Sequence, residues 1–174
     1  MNRIRRATTN DLRIIETLAH HIWWPTYSGF LPHAQIEKML AEFYTPDALA
    51  AQMLAGHQFA LWESENAPAG FVSFRALSSP AVMRVEKLYI SPQLQGSGAG
   101  KGLLQYVAQA AQAQDITLLE LNVNRDNPAV GYYLRQGFAI IKEVDIPYPP
   151  YILNDYVMQK DLTAAGLTGQ LLYP

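Results

Sequence analysis

The glycine-rich stretch QLQGSGAGKGLL, residues 93–104, constrains the fold of this 174-residue chain more than any other segment. It follows an apolar run and precedes a series of strong helix formers. Glycines at positions 96, 98 and 100 cost chain entropy unless the backbone uses their freedom. The stretch therefore predicts a strand, a tight turn and a helix that begins within the turn, with backbone amides available to a ligand.

Two known phosphate-binding motifs do not fit this stretch. A P-loop needs a glycine five residues before its Gly-Lys pair and a Ser or Thr after it, but Gln95 and Gly102 occupy those positions. The dinucleotide fingerprint needs a third glycine where Lys101 stands, and no acidic ribose ligand follows at the expected strand end. Two interpretations remain: a turn whose amides and helix N-terminus hold a pyrophosphate, or a β-to-α turn without a ligand.

Hydrophobic periodicity predicts the elements around the stretch. TTND supplies N-caps for a first helix that runs into HHIWWPTY, where Pro25 is expected to end or kink it. The other predicted helices cover 33–43, a segment from Pro46 with Thr45 as cap, 101–114 with Leu103, Leu104, Val107 and Ala111 buried, and 127–137 with Gly137 as C-terminal cap. The predicted strands cover 3–7, 57–63, 69–77, 82–90, 116–123, 138–146 and 151–162, of which the second to fourth form an antiparallel meander.

Composition excludes several kinds of protein. With 49% hydrophobic and 16% charged residues and a net charge of −2, the chain is globular and lacks the bulk charge of a nucleic-acid surface. The absence of cysteine excludes disulfides, thiolate nucleophiles and relay through an acyl-cysteine. No apolar run approaches about 18 residues. We expect a cytoplasmic protein without a membrane segment or a metal site, with one domain over 1–162 and a tail over 163–174.

Two segments together resemble the GNAT superfamily of N-acetyltransferases. Gln95-x-x-Gly98-x-Gly100, after the strand VEKLYIS, resembles the family's Q/R-x-x-G-x-G/A acetyl-coenzyme A motif. LELNVNRDNPAVGYYLRQGF resembles the family's later Asn…Ala…Tyr-x-x-x-Gly-Phe segment, here Asn127, Ala129, Tyr133, Gly137 and Phe138. The resemblance covers about half the chain and implies an α+β fold, with a mostly antiparallel sheet that splays open between strands 4 and 5, flanking helices and the pantetheine arm in the gap.

The resemblance also implies which residues meet acetyl-coenzyme A. Main-chain groups of Leu88 and Ile90 would bind the pantetheine and acetyl carbonyl. Amides from Gln95 or Gly96 through Lys101 would hold the pyrophosphate, and Asn127 would meet the pantetheine. Lys101 or Arg135 would reach the 3′-phosphate, unless each is simply a solvated helix residue. The full implied cofactor set is Leu88, Tyr89, Ile90, Gln95, Gly96, Ser97, Gly98, Ala99, Gly100, Lys101, Asn127, Tyr133 and Arg135.

Acetyl transfer to an amine needs a proton acceptor, because only about one alkyl amine in two thousand is neutral at pH 7. Glu86, beside the expected acetyl site, is the first candidate base; an ordinary exposed strand glutamate is the alternative. His20 or His21 could relay the proton instead. The resemblance implies that the hydroxyl of Tyr133 points at the sulfur of coenzyme A. Proton transfer from a phenol to a thiolate is uphill by roughly 2 kcal/mol in water, so a hydrogen bond to the developing thiolate describes its role better.

The acceptor is less well defined by the sequence. IWWPTYSGFLPHAQIEKML, FYTPDALAAQM and DYVMQKDL resemble a subgroup that includes bacterial spermidine/spermine N-acetyltransferases. Candidate acceptor-site residues are Glu86, the aromatic residues Trp23, Trp24, Tyr27, Tyr148, Tyr151 and Tyr156, and the carboxylates Glu37, Glu42, Asp47 and Asp155.

The expected function is direct acetyl transfer from acetyl-coenzyme A to a primary amine, for example on a polyamine. Two alternatives stay open: a protein N-terminal or lysine acetyltransferase, and a non-catalytic coenzyme A-binding regulatory module. The expected partner is a small amine rather than a nucleic acid or a membrane, and a homodimer is one option.

Overall fold

A computed structural model describes residues 1–77 and 82–163. The helices are α1 (Leu12–Tyr27), α2 (His33–Phe43), α3 (Pro46–Leu54), α4 (Ala99–Gln112) and α5 (Ala129–Arg135). The strands are β1 (Asn2–Arg6), β2 (Gln58–Ser64), β3 (Ala67–Ala76), β4 (Val82–Ile90), β5 (Leu118–Asn124), β6 (Ala139–Tyr148) and β7 (Tyr151–Asp161). Each predicted helix and strand has a counterpart here. The predicted tail lies outside the described residues except for Thr163, so the boundary at residue 162 stays a prediction.

Local sequence signals set several of these boundaries. The Thr45 hydroxyl accepts a hydrogen bond from the Ala48 amide, and Pro46 occupies the first turn of α3, where its missing N–H costs nothing. Glu65 and Asn66 both have positive φ, as a two-residue hairpin turn requires. The β2–β3 turn is therefore shorter than the predicted SENAP, and Ala67 already belongs to β3.

Pro25 was expected either to end α1 or to kink it, and it does not end the helix. The helix continues to Tyr27, and the Ser28 amide still donates to the Trp24 carbonyl. The Thr26 hydroxyl donates to the carbonyl of Ile22 at 2.7 Å. Because Pro25 has no N–H, the carbonyl of His21 lacks its usual backbone hydrogen bond, and α1 continues despite this loss.

The described strands form a seven-stranded sheet in the order β1-β2-β3-β4-β5-β7-β6. The pairs β1–β2, β2–β3, β5–β7 and β6–β7 are antiparallel, whereas β4 and β5 are parallel. The parallel register joins Val82–Val85 to Leu118–Leu121, and β4 itself extends to Ile90. The predicted mostly antiparallel sheet with flanking helices is therefore confirmed.

Residue contacts divide the chain into two compact units. The first comprises Met1–Arg75 and Lys87–Tyr106, and its core joins α1, α2 and α3 to buried side chains of the strands such as Phe59, Leu61 and Phe71. Arg5 ties β1 to this unit by hydrogen bonds to Asp11 and Glu63.

The second unit comprises the other described residues, 76–77, 82–86 and 107–163. Its strand β5 alternates strictly, with Leu119, Leu121 and Val123 buried and the residues between them half-buried. Polar side chains therefore share one face of β5. Among the described residues, no helix is long and apolar enough to cross a membrane.

Candidate active site

The glycine-rich turn has the backbone geometry that its sequence predicts. Gly96 and Gly98 have φ of 80° and 87°, a left-handed conformation that residues with a Cβ rarely adopt. A Cβ at either position would meet nothing within 4 Å, so both glycines are required by the backbone and not by crowding. Gly100 lies inside α4, which begins at Ala99, two residues earlier than predicted.

The turn presents a set of backbone donors. The Gly102 amide donates to the Gly98 carbonyl at 2.9 Å and makes the first hydrogen bond of α4. Among the described residues, the amides of Gly98 through Lys101 have no acceptor, as expected for the first turn of a helix. These donors and the positive end of the helix dipole fit a pyrophosphate.

Two amides of the predicted set are already used inside the turn. The Gln95 amide donates to the carbonyl of Pro92, and both the amide and the hydroxyl of Ser97 donate to the carbonyl of Leu94. The amides that remain for a ligand are therefore those of Gly96 and of Gly98 through Lys101. Lys101 itself is exposed on the first turn of α4.

Gly102 is required by packing. An added Cβ would lie 2.6 Å from Cζ3 of Trp62 on β2, closer than such contacts occur. The position where a P-loop carries Ser or Thr is therefore occupied by the residue that lets α4 pack on the indole. The P-loop motif does not fit the sequence at Gly102, but the packing of α4 on Trp62, which requires the glycine, is visible only in the structure.

The carboxyl end of β4 approaches β3 closely. A Cβ at Gly70 would lie 2.5 Å from Cδ1 of Ile90 and 2.8 Å from the carbonyl oxygen of Tyr89. The Ser91 amide donates to the carbonyl of Ala69 at 2.9 Å. Leu88, Tyr89 and Ile90 are all half-buried. The strand that leads into the glycine-rich turn is thus held in place from the β3 side.

An aromatic cluster surrounds the side chain of Tyr89. Its hydroxyl lies 2.9 Å from that of Tyr27, and its ring lies 5.6 Å from Phe71 and 5.8 Å from Trp23. Trp23 is only 3% exposed and belongs to the core. Trp24 is half-buried and stacks edge-on against His33. Of the predicted acceptor-site aromatics on α1, Trp23 and Tyr27 both contact the Tyr89 ring, and Tyr27 also pairs with its hydroxyl.

Lys87 extends this cluster and was not found from the sequence. Its ammonium donates to Oε1 of Gln52 at 2.7 Å and lies 5.6 Å from the centre of the Tyr44 ring and 5.8 Å from that of Phe59. The Gln52 amide is oriented by its own bond to the carbonyl of Phe43. Burial raises the pKa of Tyr44 well above its ordinary value, so its hydroxyl stays protonated.

In the second unit, Arg84 gathers the polar side chains of neighbouring strands. It contacts Glu120 at 2.9 Å, Asn122 at 2.8 Å and Glu86 at 3.4 Å. The side chain of Glu86 is 19% exposed, so it is neither a freely solvated carboxylate nor a fully buried one. The predicted base thus lies in contact with a guanidinium.

Asp155 joins the same polar group through Asn122. The amide nitrogen of Asn122 donates to Oδ2 of Asp155 at 3.3 Å. Burial raises the pKa of Asp155, and the bond from Asn122 opposes that shift. Asp155 was one of four carboxylates that the sequence offered for a cationic acceptor, and the structure brings it together with Glu86 and Glu120 around Arg84.

The C-terminal end of α5 explains the Tyr-x-x-x-Gly-Phe pattern. Gly137 has φ of 90°; its amide donates to the carbonyl of Leu134, and the Phe138 amide donates to that of Tyr133. These two bonds form a Schellman motif. The motif turns the Phe138 ring to 5.7 Å from that of Tyr133, which is 9% exposed. The glycine and phenylalanine therefore position the tyrosine.

Other predicted residues of α5 have local roles. Oδ1 of Asn127 accepts from the Ala129 amide at 2.9 Å and so supports the first turn of α5. Arg135 is exposed, and its guanidinium lies over Gly131. The buried hydroxyl of Tyr132 has no hydrogen-bond partner within the described parts of the chain, and burial raises its pKa. Buried donors without an acceptor are uncommon in folded proteins.

The remaining predicted residues lie apart from these groups. His20 and His21 are exposed on α1, and Tyr148 stacks on Tyr151 at the end of the β6–β7 hairpin. Lys38 forms an ion pair with Glu42 on α2. Within 1–77 and 82–163, no group of three or more potential ligand side chains is arranged for a metal ion.

Comparison with known proteins agrees with these features. A family model for the acetyltransferase (GNAT) domain matches residues 27–145. The chain is 24% identical over 164 residues to spermidine N(1)-acetyltransferase of Thermoplasma acidophilum, which covers 90% of this chain and 95% of that protein. It is 30% identical over 109 residues to peptidyl-lysine N-acetyltransferase YiaC of Escherichia coli, covering 61% of this chain and 68% of that one.

Among solved structures, the chain is similar to the PaiA N-acetyltransferase of Thermoplasma acidophilum in complex with coenzyme A. The TM-score is 0.80 at 22% identity, over 92% of this chain and 99% of that one. At 22% identity, this similarity shows that the two proteins share a fold.

Proposed function

The chain belongs to the GNAT family of N-acetyltransferases, and on this premise we propose that it moves an acetyl group directly from acetyl-coenzyme A to a primary amine of a polyamine. The observation that carries the proposal is the β4–α4 turn, where two glycines are left-handed and the amides of Gly98 through Lys101 have no acceptor in the part of the chain that the structure describes. A coenzyme A-bound relative with the same fold supports the choice of cosubstrate.

For the cosubstrate, we assign the pyrophosphate to the amides of Gly96 and of Gly98 through Lys101. Each hydrogen bond to a charged oxygen contributes roughly 1.5–3 kcal/mol. Main-chain groups of Leu88 and Ile90 bind the pantetheine and the acetyl carbonyl in this proposal. The amide nitrogen of Asn127 meets the pantetheine, because its oxygen already supports α5.

For the chemistry, we assign two side chains. Tyr133 donates its hydroxyl hydrogen bond to the sulfur as negative charge develops there, and Phe138 keeps its ring in that orientation. Glu86 accepts the proton of the amine, directly or through water, and Arg84 holds its carboxylate by an ion pair. With no cysteine in the chain, the acetyl group passes to the amine without an acyl-cysteine.

For the acceptor, the polar group around Arg84 supports a cation. Glu86, Glu120 and Asp155 provide three carboxylates, against the guanidinium of Arg84 and that of Arg125, which also acts on Asp155. An amine with further positive charges is attracted by such an excess. The spermidine acetyltransferase relative supports the same choice.

The test is acetyl transfer to a panel of polyamines, aminoglycosides, amino acids and peptides, followed by the release of free thiol. The proposal predicts the highest kcat/KM for a polyamine. Transfer to peptides alone would instead favour a protein acetyltransferase, as in the peptidyl-lysine relative. Binding of coenzyme A with no transfer to any acceptor would favour a regulatory module.

A further inference from the structure

A pocket of about 430 Å³ in the first unit is lined by none of the residues assigned above. It lies where the end of β1, the start of β2 and the end of α3 meet. Its apolar lining includes Ala7, Met53 and Phe59, and its polar lining includes Arg6, Thr9 and Gln58. Small-molecule sites commonly have volumes of about 300–1,000 Å³ and combine an apolar lining with a few polar groups.

The walls of this pocket are fixed by backbone hydrogen bonds. The Ala7 amide donates to the Phe59 carbonyl at 2.8 Å and so joins the end of β1 to β2. At the end of α3, the Gly56 amide donates to the carbonyl of Met53, and the His57 amide donates to that of Gln52. The carbonyls of Gln52 and Met53 are therefore already engaged within the protein.

The polar lining is short of partners. In the described ranges, no acceptor or carboxylate engages the guanidinium of Arg6, and the side chains of Thr9 and Gln58 likewise make no hydrogen bond. The adjacent Arg5 takes the carboxylates of this region, bonding to Asp11 at 2.7 Å and to Glu63 at 2.6 Å. Arg6 is therefore an uncompensated cation at the pocket.

From this arrangement we infer that the pocket binds a small organic anion, with its acid group on Arg6 and Gln58 and its apolar body on Met53, the half-buried apolar residue of the lining. None of the residues that line the pocket is acidic, and the nearby carboxylate of Asp11, which accepts from the Thr8 amide, is paired with Arg5. A cationic polyamine would be repelled by Arg6, so this ligand differs in charge from the proposed acceptor. The inference does not depend on the proposed acetyl transfer.

The test uses octanoate as the probe and octanamide as its uncharged counterpart. Binding is followed by NMR of the methionine methyl groups, where Met53 reports on the pocket and Met158, on β7, serves as a reference. We expect octanoate to shift the Met53 signal saturably and Met158 to stay in place. Octanamide should bind about tenfold more weakly, because it lacks the charge that pairs with Arg6.

Substitutions of arginine residues test whether Arg6 supplies the positive charge that binds octanoate. Arg6→Gln should weaken octanoate binding about tenfold or more, whereas Arg13→Gln, an exposed arginine paired with Glu16 on α1, should leave it unchanged. Arg6→Lys should restore most of the affinity. The inference is overturned if Met53 shows no saturable shift in the wild type, or if octanamide binds as tightly as octanoate. The second comparison needs no variant and holds even if Arg6→Gln fails to fold.

Discussion

Replacing Gly98 with alanine tests the glycine-rich turn most sharply. Gly98 has φ of 87°, and its missing Cβ would meet nothing within 4 Å, so the substitution costs only backbone strain. An L-residue held in that conformation is less favourable by about 1–2 kcal/mol. Because Gly98 is exposed, the free turn can relax and avoid most of this strain. The cost then appears when coenzyme A requires the original geometry.

The expected result is coenzyme A affinity reduced about 5- to 30-fold in Gly98→Ala by calorimetry, with little change in Tm. Gly29→Ala is the matched control, since Gly29 also has open space around its missing Cβ but no positive φ. It should bind coenzyme A like the wild type. Equal affinity of Gly98→Ala and the wild type would refute the reasoning that these amides are held in place for a pyrophosphate.

Three further variants probe the catalytic groups and the stability of the first unit. Tyr133→Phe should lower kcat roughly 10- to 100-fold with near-normal coenzyme A affinity. The neighbouring Tyr132→Phe removes a buried hydroxyl without a partner among the described residues, so it should leave Tm unchanged or raise it. Unchanged turnover in Tyr133→Phe would remove this residue from the mechanism. Glu86→Gln should lower kcat at pH 7, whereas Glu65→Gln, in the β2–β3 turn, should not; equal rates would exclude Glu86 as the base. Arg5 holds the pKa of Asp11 below its ordinary value, so Asp11 stabilises the fold above about pH 4 and loses that contribution as the pH falls through its folded-state pKa. Asp11→Asn should therefore reduce the free energy of unfolding at pH 7 and flatten its decline in acid, whereas the exposed Asp126→Asn should follow the wild type in urea titrations at each pH.

Features set by neighbouring residues could be predicted from the sequence. Thr45 and Pro46 predict the start of α3, and Gly137 predicts the end of α5, because capping interactions involve residues within one helical turn. Pro25 shows the limit of such signals. Its missing donor predicts a break, but α1 continues to Tyr27, with Ile22 and Trp23 buried in the core of the first unit.

Contacts between distant residues could not be predicted in the same way. Lys87 meets Gln52 across 35 residues, and Arg84 meets Asn122 across 38, and neither pair follows a spacing rule. Gly102 lies against Trp62 only because α4 packs on β2. The motifs identified the turn and Tyr133, whereas the network around Arg84 depends on strand register, which no local pattern in this chain reports.

The most direct test of the account is the product balance of one reaction, with the wild-type enzyme, acetyl-coenzyme A and spermidine. Free thiol and acetylated amine are measured together, the second by mass spectrometry, in a single turnover. The account predicts one acetylated amine for each thiol released and no acetylated protein. Thiol release without an acetylated amine, or an acetyl group that appears first on the protein, would contradict direct transfer.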